Sequence, residues 1–193
     1  MTIETYLKQI EPLSIHARFS IGLRIFERYV RMRGLEDESL WEYLADMWEF
    51  PLMAKLEQKQ AWGEARGDLA DYGLGDELPE ELEEELYSLA ISEDYFELWA
   101  CNTTELAWTN LLAGPQHEES LVLIGKLLEL AVISKVSVPK PDFFSEHLFS
   151  EQGGWGPVLT KDELEAWQSV PCDIELEAGE LDFQEHISEI LKD

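Results

Sequence analysis

Apolar residues recur at helical spacing along most of the chain, most clearly between residues 95 and 134. Two apolar stripes in this stretch are separated by Gly114-Pro115, a pair that suits the end of one helix and the start of the next. The stripes consist of Tyr95, Trp99, Leu106 and Ala113, and of Leu121, Ile124, Leu128 and Ala131. Because the connection is short, the two helices are expected to run antiparallel. We therefore predict an all-α fold, a single-domain helical bundle over residues 1–193 that is organised on this central helix hairpin.

Shorter amphipathic helices are predicted before the hairpin. Their spans are residues 2–11, 14–33, 37–50 and 51–62, followed by a helix that begins at Pro79. Gly34 suits a left-handed cap at the end of the second helix, and either Asp37 or Ser39 suits the start of the third. Residues 63–79 contain four glycines without sustained periodicity, so a glycine-rich loop is predicted there.

The C-terminal part of the chain is less regular from about residue 138. Residues 151–158 form a glycine-rich loop that lacks the lysine and the glycine spacing of phosphate-binding loops, so no cofactor is expected there. Thr160 and Glu163 have the spacing of a capping box, which predicts a helix with Trp167 on its buried side. An irregular segment or short strand over residues 170–179 and a last helix over residues 182–192 complete the prediction.

Charge is the unusual property of the composition. The formal net charge is −27; residues 1–66 hold 9 Lys/Arg and 11 Asp/Glu, whereas residues 67–193 hold 5 and 30. Such a chain repels nucleic-acid backbones and anionic lipids and attracts cationic partners. The longest apolar run, residues 121–138, is interrupted by charges, and the N-terminus has no basic patch followed by an apolar run. We therefore expect no membrane span, no secretion signal and a cytoplasmic location.

Two groups of charged residues lie on single helix faces. Arg24, Arg28 and Arg31 form a basic stripe, for which a solvated or internally paired face is favoured over phosphate binding. Five glutamates occupy the outer face of the helix that follows Pro79, which exceeds what capping the positive end of a helix dipole requires. These glutamates, together with Trp155 as an aromatic contact, form the candidate partner-binding set: Glu80, Glu81, Glu83, Glu84, Glu85 and Trp155. Solvated surface and core packing are the competing interpretations of the same residues.

Motifs for catalysis or metal binding are weak in this sequence. None of the four histidines lies in a zinc or di-iron helix signature, and there is no nucleophile elbow. Asp182, His186 and Glu189 lie on one face of the last predicted helix, but a chain this rich in carboxylates produces such sets by coincidence. Cys101 and Cys172 have no metal or disulfide spacing. We expect no catalytic residues, no metal and no cofactor.

The preferred function is an acidic helical module that binds a basic protein partner. In being small, helical and very acidic, the chain is similar to bacterial immunity proteins against nuclease toxins and to proteins that imitate nucleic acid, although it shares no motif with them. The likeness implies an immunity or inhibitor role. Two alternatives remain, namely a metal-dependent enzyme with Asp, Glu and His ligands, and an acidic protein whose charge reflects its solvent and selects no partner.

Overall fold

The computed structural model describes residues 1–66, 73 and 78–177. These residues contain eight α-helices and one small antiparallel sheet, so the predicted all-α fold is confirmed. The helices are α1 (Ile3–Ile10), α2 (Ile15–Arg33), α3 (Glu38–Met47), α4 (Leu56–Ala65), α5 (Glu80–Ser88), α6 (Glu93–Ala113), α7 (His117–Ser134) and α8 (Lys161–Gln168). The sheet pairs β1 (Val138–Pro139) with β2 (Cys172–Ile174), and short 3-10 helices cover Phe50–Leu52, Pro141–Phe144 and Gln152–Gly154.

Three helices, α2, α6 and α7, form the centre of the molecule and pack against one another. Helix α2 is buried along most of its length, so the centre is a three-helix group in which α2 contacts both helices of the predicted hairpin. Trp99 of α6 is fully buried and stacks on Tyr29 and Phe26 of α2, with ring centroids 4.6 and 6.1 Å apart. Tyr95 Oη lies 2.7 Å from Ser134 Oγ, which places the first turn of α6 beside the last turn of α7.

Helix ends follow the local chemistry that the sequence predicts. Gly34 adopts a left-handed conformation with φ 73° after α2, a backbone geometry that favours glycine. Of the two predicted caps for α3, Asp37 is the one used, since its Oδ1 accepts a hydrogen bond from Leu40 N at 2.9 Å. The capping box of Thr160 and Glu163 is formed at the start of α8.

Three predicted helix boundaries are wrong. Helix α3 ends at Met47, and the 3-10 turn at Phe50–Leu52 separates it from α4, which begins at Leu56 rather than at Pro51. The side chain of Gln58 explains the later start, because its Oε1 accepts from Ala54 N and Lys55 N at 3.1 and 3.0 Å. At its other end α4 continues to Ala65, inside the predicted glycine-rich loop. Most of that loop, and the last predicted helix, lie outside the described residues.

The C-terminal segment packs on the junction between α1 and α2. Ser14 N donates to His147 O at 2.8 Å, and Phe149 N donates to Pro12 O at the same distance. The buried Tyr6 hydroxyl donates to Pro139 O at 2.7 Å, which ties α1 to β1. These contacts join the segment to one continuous cluster of buried apolar side chains that extends from Ile3 to Val170. None of the helices in the described part of the chain is long and apolar enough to cross a lipid bilayer.

Candidate functional site

Seven of the thirteen Lys and Arg side chains in the described part of the chain are buried or in ion pairs. The Arg18 and Lys59 side chains are fully buried, with 0% and 1% of their surface exposed. Arg24 and Arg31 both pair with Glu27, at 3.5 and 2.7 Å. Further pairs join Lys8 to Glu4 at 2.7 Å, Arg66 to Asp46 and Glu49 at 3.1 and 2.7 Å, and Lys140 to Asp173 at 2.9 Å. The interpretation of the arginine stripe on α2 as an internally paired face therefore holds for Arg24 and Arg31.

Helix α5 presents most of the predicted glutamates to solvent. Leu82 and Leu86 are fully buried and fix the inner face of the helix. Glu80, Glu81 and Glu84 are exposed, whereas Glu83 and Glu85 are half-buried. The side chain of Tyr87, which lies one turn after Glu83 and Glu84, is 87% exposed, an unusual position for an aromatic ring. The sequence analysis missed Tyr87, although its place on the outer, acidic face of the helix was readable from the spacing.

Glu85 does not belong to the open surface. Its two carboxylate oxygens accept hydrogen bonds from Glu36 N at 2.9 Å and Asp37 N at 3.0 Å. The carboxylate therefore holds the start of α3 against α5 and brings the exposed Glu36 and Glu38 close to that helix. We define the acidic surface as the exposed side chains that result from this arrangement, namely Glu36, Glu38, Glu80, Glu81, Glu84 and Tyr87.

Trp155 lies elsewhere in the fold. Its half-buried ring contacts Phe50 and His16, with centroids 6.0 and 5.8 Å apart, and lies 4.6 Å from Lys59 Nζ. Within the described residues its ring partners come from α2, α4 and the 3-10 turn before α4, and none comes from α5. Trp155 thus covers the buried Lys59 and is not part of the acidic surface.

The buried lysine that Trp155 covers is a feature that sequence reasoning missed. Lys59 Nζ lies 3.0 Å from His16 Nε2, also donates to Met53 O, and is 5.2 Å from the centre of the Phe50 ring. His16 Nδ1 lies 3.3 Å from Pro157 O, which makes Nδ1 the protonated nitrogen and Nε2 the acceptor. The only signal in the sequence was the position of Lys59 on the apolar face of its helix, three residues after Leu56 and three before Trp62.

Burial controls the protonation of this pair. Burial and, as the second cause, the neighbouring ammonium of Lys59 lower the pKa of His16 to about 3, so the imidazole is neutral at ordinary pH. Burial also lowers the pKa of Lys59 to about 8. No carboxylate pairs with Lys59 among the described residues, and hydrogen bonds and two aromatic faces take its place.

Arg18 is enclosed in a similar way by oxygen acceptors. It donates to Ile10 O at 3.3 Å, to His117 O at 2.8 Å and to Ser120 Oγ at 2.7 Å, and it also donates to Glu11 O. These acceptors lie at the end of α1 and the start of α7, so one guanidinium joins three helices. Because the donors of Arg18 and Lys59 are used inside the protein, both residues hold the fold together and present no charge to a ligand.

Metal and thiol chemistry receive no support from the described residues. They contain no group of three or more His, Cys, Asp or Glu side chains placed to hold a metal ion. The candidate ligands Asp182, His186 and Glu189 lie outside the described residues. Burial raises the pKa of Cys101 to about 11 and also raises the pKa of Cys172, which leaves both thiols protonated at neutral pH.

No protein family model, curated protein or solved structure matches this chain. Within the described part of the chain, the acidic surface on α5 and α3 is the feature with the clearest chemistry for a partner.

Proposed function

We propose that this protein binds a basic protein partner through the acidic surface on α5 and α3. The observation that carries the proposal is the placement of charge, since two described cations are buried and five more lie in ion pairs, while no cation among the described residues pairs with the exposed Glu80, Glu81 or Glu84. Carboxylates without neighbouring cations keep a negative field that only solvent and salt screen. Such a field accelerates encounter with a positively charged surface.

Tyr87 supplies a direct contact with the partner, which long-range electrostatic attraction alone does not provide. Aromatic side chains are enriched among the residues that dominate binding energy, and charged residues around them exclude water and fix orientation. The side chain of Tyr87 is 87% exposed on the same helix as the three free glutamates. In the proposed complex the glutamates steer the partner and the Tyr87 ring becomes buried against it.

An immunity or inhibitor protein is the form of this function that we propose. Nucleases carry basic surfaces that contact phosphates, and a carboxylate-covered helix competes for such a surface by the same electrostatics. The proposed partner is thus a nuclease-type toxin. Nucleic acid is not an expected ligand, because phosphates and these carboxylates repel each other.

The experiment begins with capture of the partner from the native host on the wild-type protein, repeated at high salt. Association rates of the captured partner are then compared between the wild type and the E80K/E81K/E84K variant. Since Glu80 and Glu81 also lie in the first turn of α5, their reversal is expected to cost up to about 1 kcal/mol of stability each through the helix dipole. Unfolding curves must therefore accompany the rates.

A second variant, E84K/Y87A, avoids the first turn of α5 and tests the ring and the charge together. The matched control for E80K/E81K/E84K is E64K/E146K/E165K, which makes the same change in net charge at three exposed glutamates on other parts of the molecule. We expect both surface variants to slow association or weaken binding roughly tenfold or more, and the control to do so much less. A partner whose association ignores both salt and the α5 substitutions would refute the proposal.

A further inference from the structure

A second feature of the fold carries the opposite charge. An open cleft of about 310 Å³ lies between the end of α2, the turn from α5 to α6 and the end of α7. Arg33 is the only charged side chain among the described residues that line it. Within the described residues Arg33 has no ion-pair partner, in contrast to Arg31 on the same helix, which pairs with Glu27. The exposed guanidinium of Arg33 is therefore available to an anion that enters the cleft.

Hydroxyl groups surround the same cleft. Tyr29 is only 1% exposed, yet it lines the cleft, and its hydroxyl has no hydrogen-bond partner among the described residues. Burial raises the pKa of Tyr29 to about 12, with the Arg33 guanidinium opposing that rise, so the phenol stays a donor and lies within electrostatic reach of Arg33. Tyr95 and Ser134, whose oxygens are 2.7 Å apart, line the cleft as well.

The start of α6 contributes backbone donors. Ser92 is the N-cap of this 21-residue helix, it lines the cleft, and it makes no side-chain capping hydrogen bond. The first amide N–H groups of a helix attract negative charge when no capping oxygen occupies them. The position of Arg33 in the last turn of α2 is explained by the dipole of that helix. The Tyr29 hydroxyl beside Arg33 opens into the cleft and has no hydrogen-bond partner among the described residues, so it is available to a ligand.

We infer that this cleft binds a small monoanionic carboxylate that carries an apolar body. Arg33 provides a planar pair of donors for a carboxylate, and the Tyr29 hydroxyl provides a third. Ile91 and Ile133 form apolar walls for the rest of the ligand, and the volume lies at the small end of the range for ligand pockets. A dianion such as a phosphate monoester is disfavoured, because the net charge of −27 repels a second negative charge more strongly.

Phenylacetate and 4-methylpentanoate are the probes, and their binding is measured by calorimetry and ligand-observed NMR. Phenethyl alcohol tests whether the charge is needed, and phenyl phosphate tests the dianion. The variants are Arg33→Gln, which removes the charge, and Tyr29→Phe, which removes only the hydroxyl. The control is Lys126→Gln, which makes the same change in net charge at an exposed lysine of α7 outside the cleft.

At least one carboxylate is expected to bind with millimolar or better affinity. Arg33→Gln should weaken binding at least about tenfold and Tyr29→Phe about three- to tenfold, while Lys126→Gln should change it less than about twofold. Equal binding of the alcohol, tighter binding of the phosphate, equal losses in Arg33→Gln and Lys126→Gln, or no binding of either carboxylate at about 10 mM would each overturn the inference. None of these outcomes depends on the proposed protein partner, whose own test uses substitutions on α5.

Discussion

The pH dependence of stability gives a direct test of the buried lysine. Lys59 is 1% exposed and its ammonium is held by His16, by Met53 O and by two aromatic faces. Burial lowers its pKa from the ordinary value of 10.5 to about 8. The folded protein therefore releases this proton about two and a half pH units before the unfolded chain does.

The sign of the effect follows from proton counting. Between about pH 8 and 10.5 the unfolded chain holds a proton on Lys59 that the folded protein lacks, so the contribution of Lys59 to the free energy of unfolding rises with pH in this window. From pH 7 to about pH 9.5 that contribution is roughly 2 kcal/mol, at 1.4 kcal/mol per pH unit within the window. The measurement stops there because the buried Tyr6 and Tyr43 have raised pKa values, and above the ordinary tyrosine pKa their contribution has the opposite sign. The raised pKa values of Cys101 and Cys172 also act with the opposite sign, so the Lys59 contribution is measured as the difference between the wild type and a variant without this lysine.

Lys59→Met is the informative substitution, because methionine keeps an unbranched side chain but has no charge to titrate. The variant also leaves His16 Nε2 and Met53 O without a donor, which costs about 1–3 kcal/mol for each buried group at every pH. The slope of stability against pH is thus a cleaner readout than its absolute value. Urea unfolding followed by tryptophan fluorescence at half-unit pH steps provides that slope.

The wild type should gain roughly 2 kcal/mol over the window relative to Lys59→Met. Lys55→Met is the matched control, since Lys55 is an exposed lysine four residues earlier in the chain. Its curve should run parallel to that of the wild type. If the Lys59→Met curve also runs parallel to the wild type, Lys59 does not titrate with a lowered pKa and the reasoning about its burial is wrong.

Two further predictions concern the core. Trp99→Ala should lower the free energy of unfolding by about 3–5 kcal/mol, because the ring is fully buried and stacked on Tyr29 and Phe26; a loss below about 1 kcal/mol in urea unfolding would contradict this packing. Arg18→Met should cost at least about 3 kcal/mol by leaving carbonyls of α1 and α7 without a donor, whereas Lys8→Met, which breaks an exposed ion pair with Glu4 on α1, should cost much less; similar losses in both variants would mean that the Arg18 hydrogen bonds contribute little.

Local features of this fold were predictable because they depend on a few neighbouring residues. The apolar stripe of α2 and its cap at Gly34 are contained in one stretch of sequence, as are the capping box at Thr160 and the short turn at Gly114. The start of α4 was predicted wrongly because a side chain further along the chain decides it. Pro51 can begin a helix by its own geometry, but the Gln58 side chain caps the backbone at Lys55 and moves the start to Leu56.

Features that join distant parts of the chain were not predictable from periodicity. Lys59 and His16 are 43 positions apart, and nothing in either local pattern indicates that their side chains meet. The bond from Arg18 to His117 O spans 99 positions and depends on how α2 packs on α7. The cleft that contains Arg33 requires three chain segments to come together around one side chain. Sequence reasoning placed every one of these polar residues on a helix without finding its partners.

The placement of cations links the stability of this protein to its proposed function. With Arg18 and Lys59 inside the fold, the rest of the molecule carries a formal charge of −29, which is −27 less the two buried positive charges. Repulsion among these surface charges opposes the compact state, and added salt screens it, so moderate salt should favour the folded protein. Association with a basic partner responds to salt in the opposite direction, because the same screening weakens the attraction. Slower association at higher salt can then be assigned to the acidic surface. It cannot result from unfolding, because salt is expected to stabilise the folded protein.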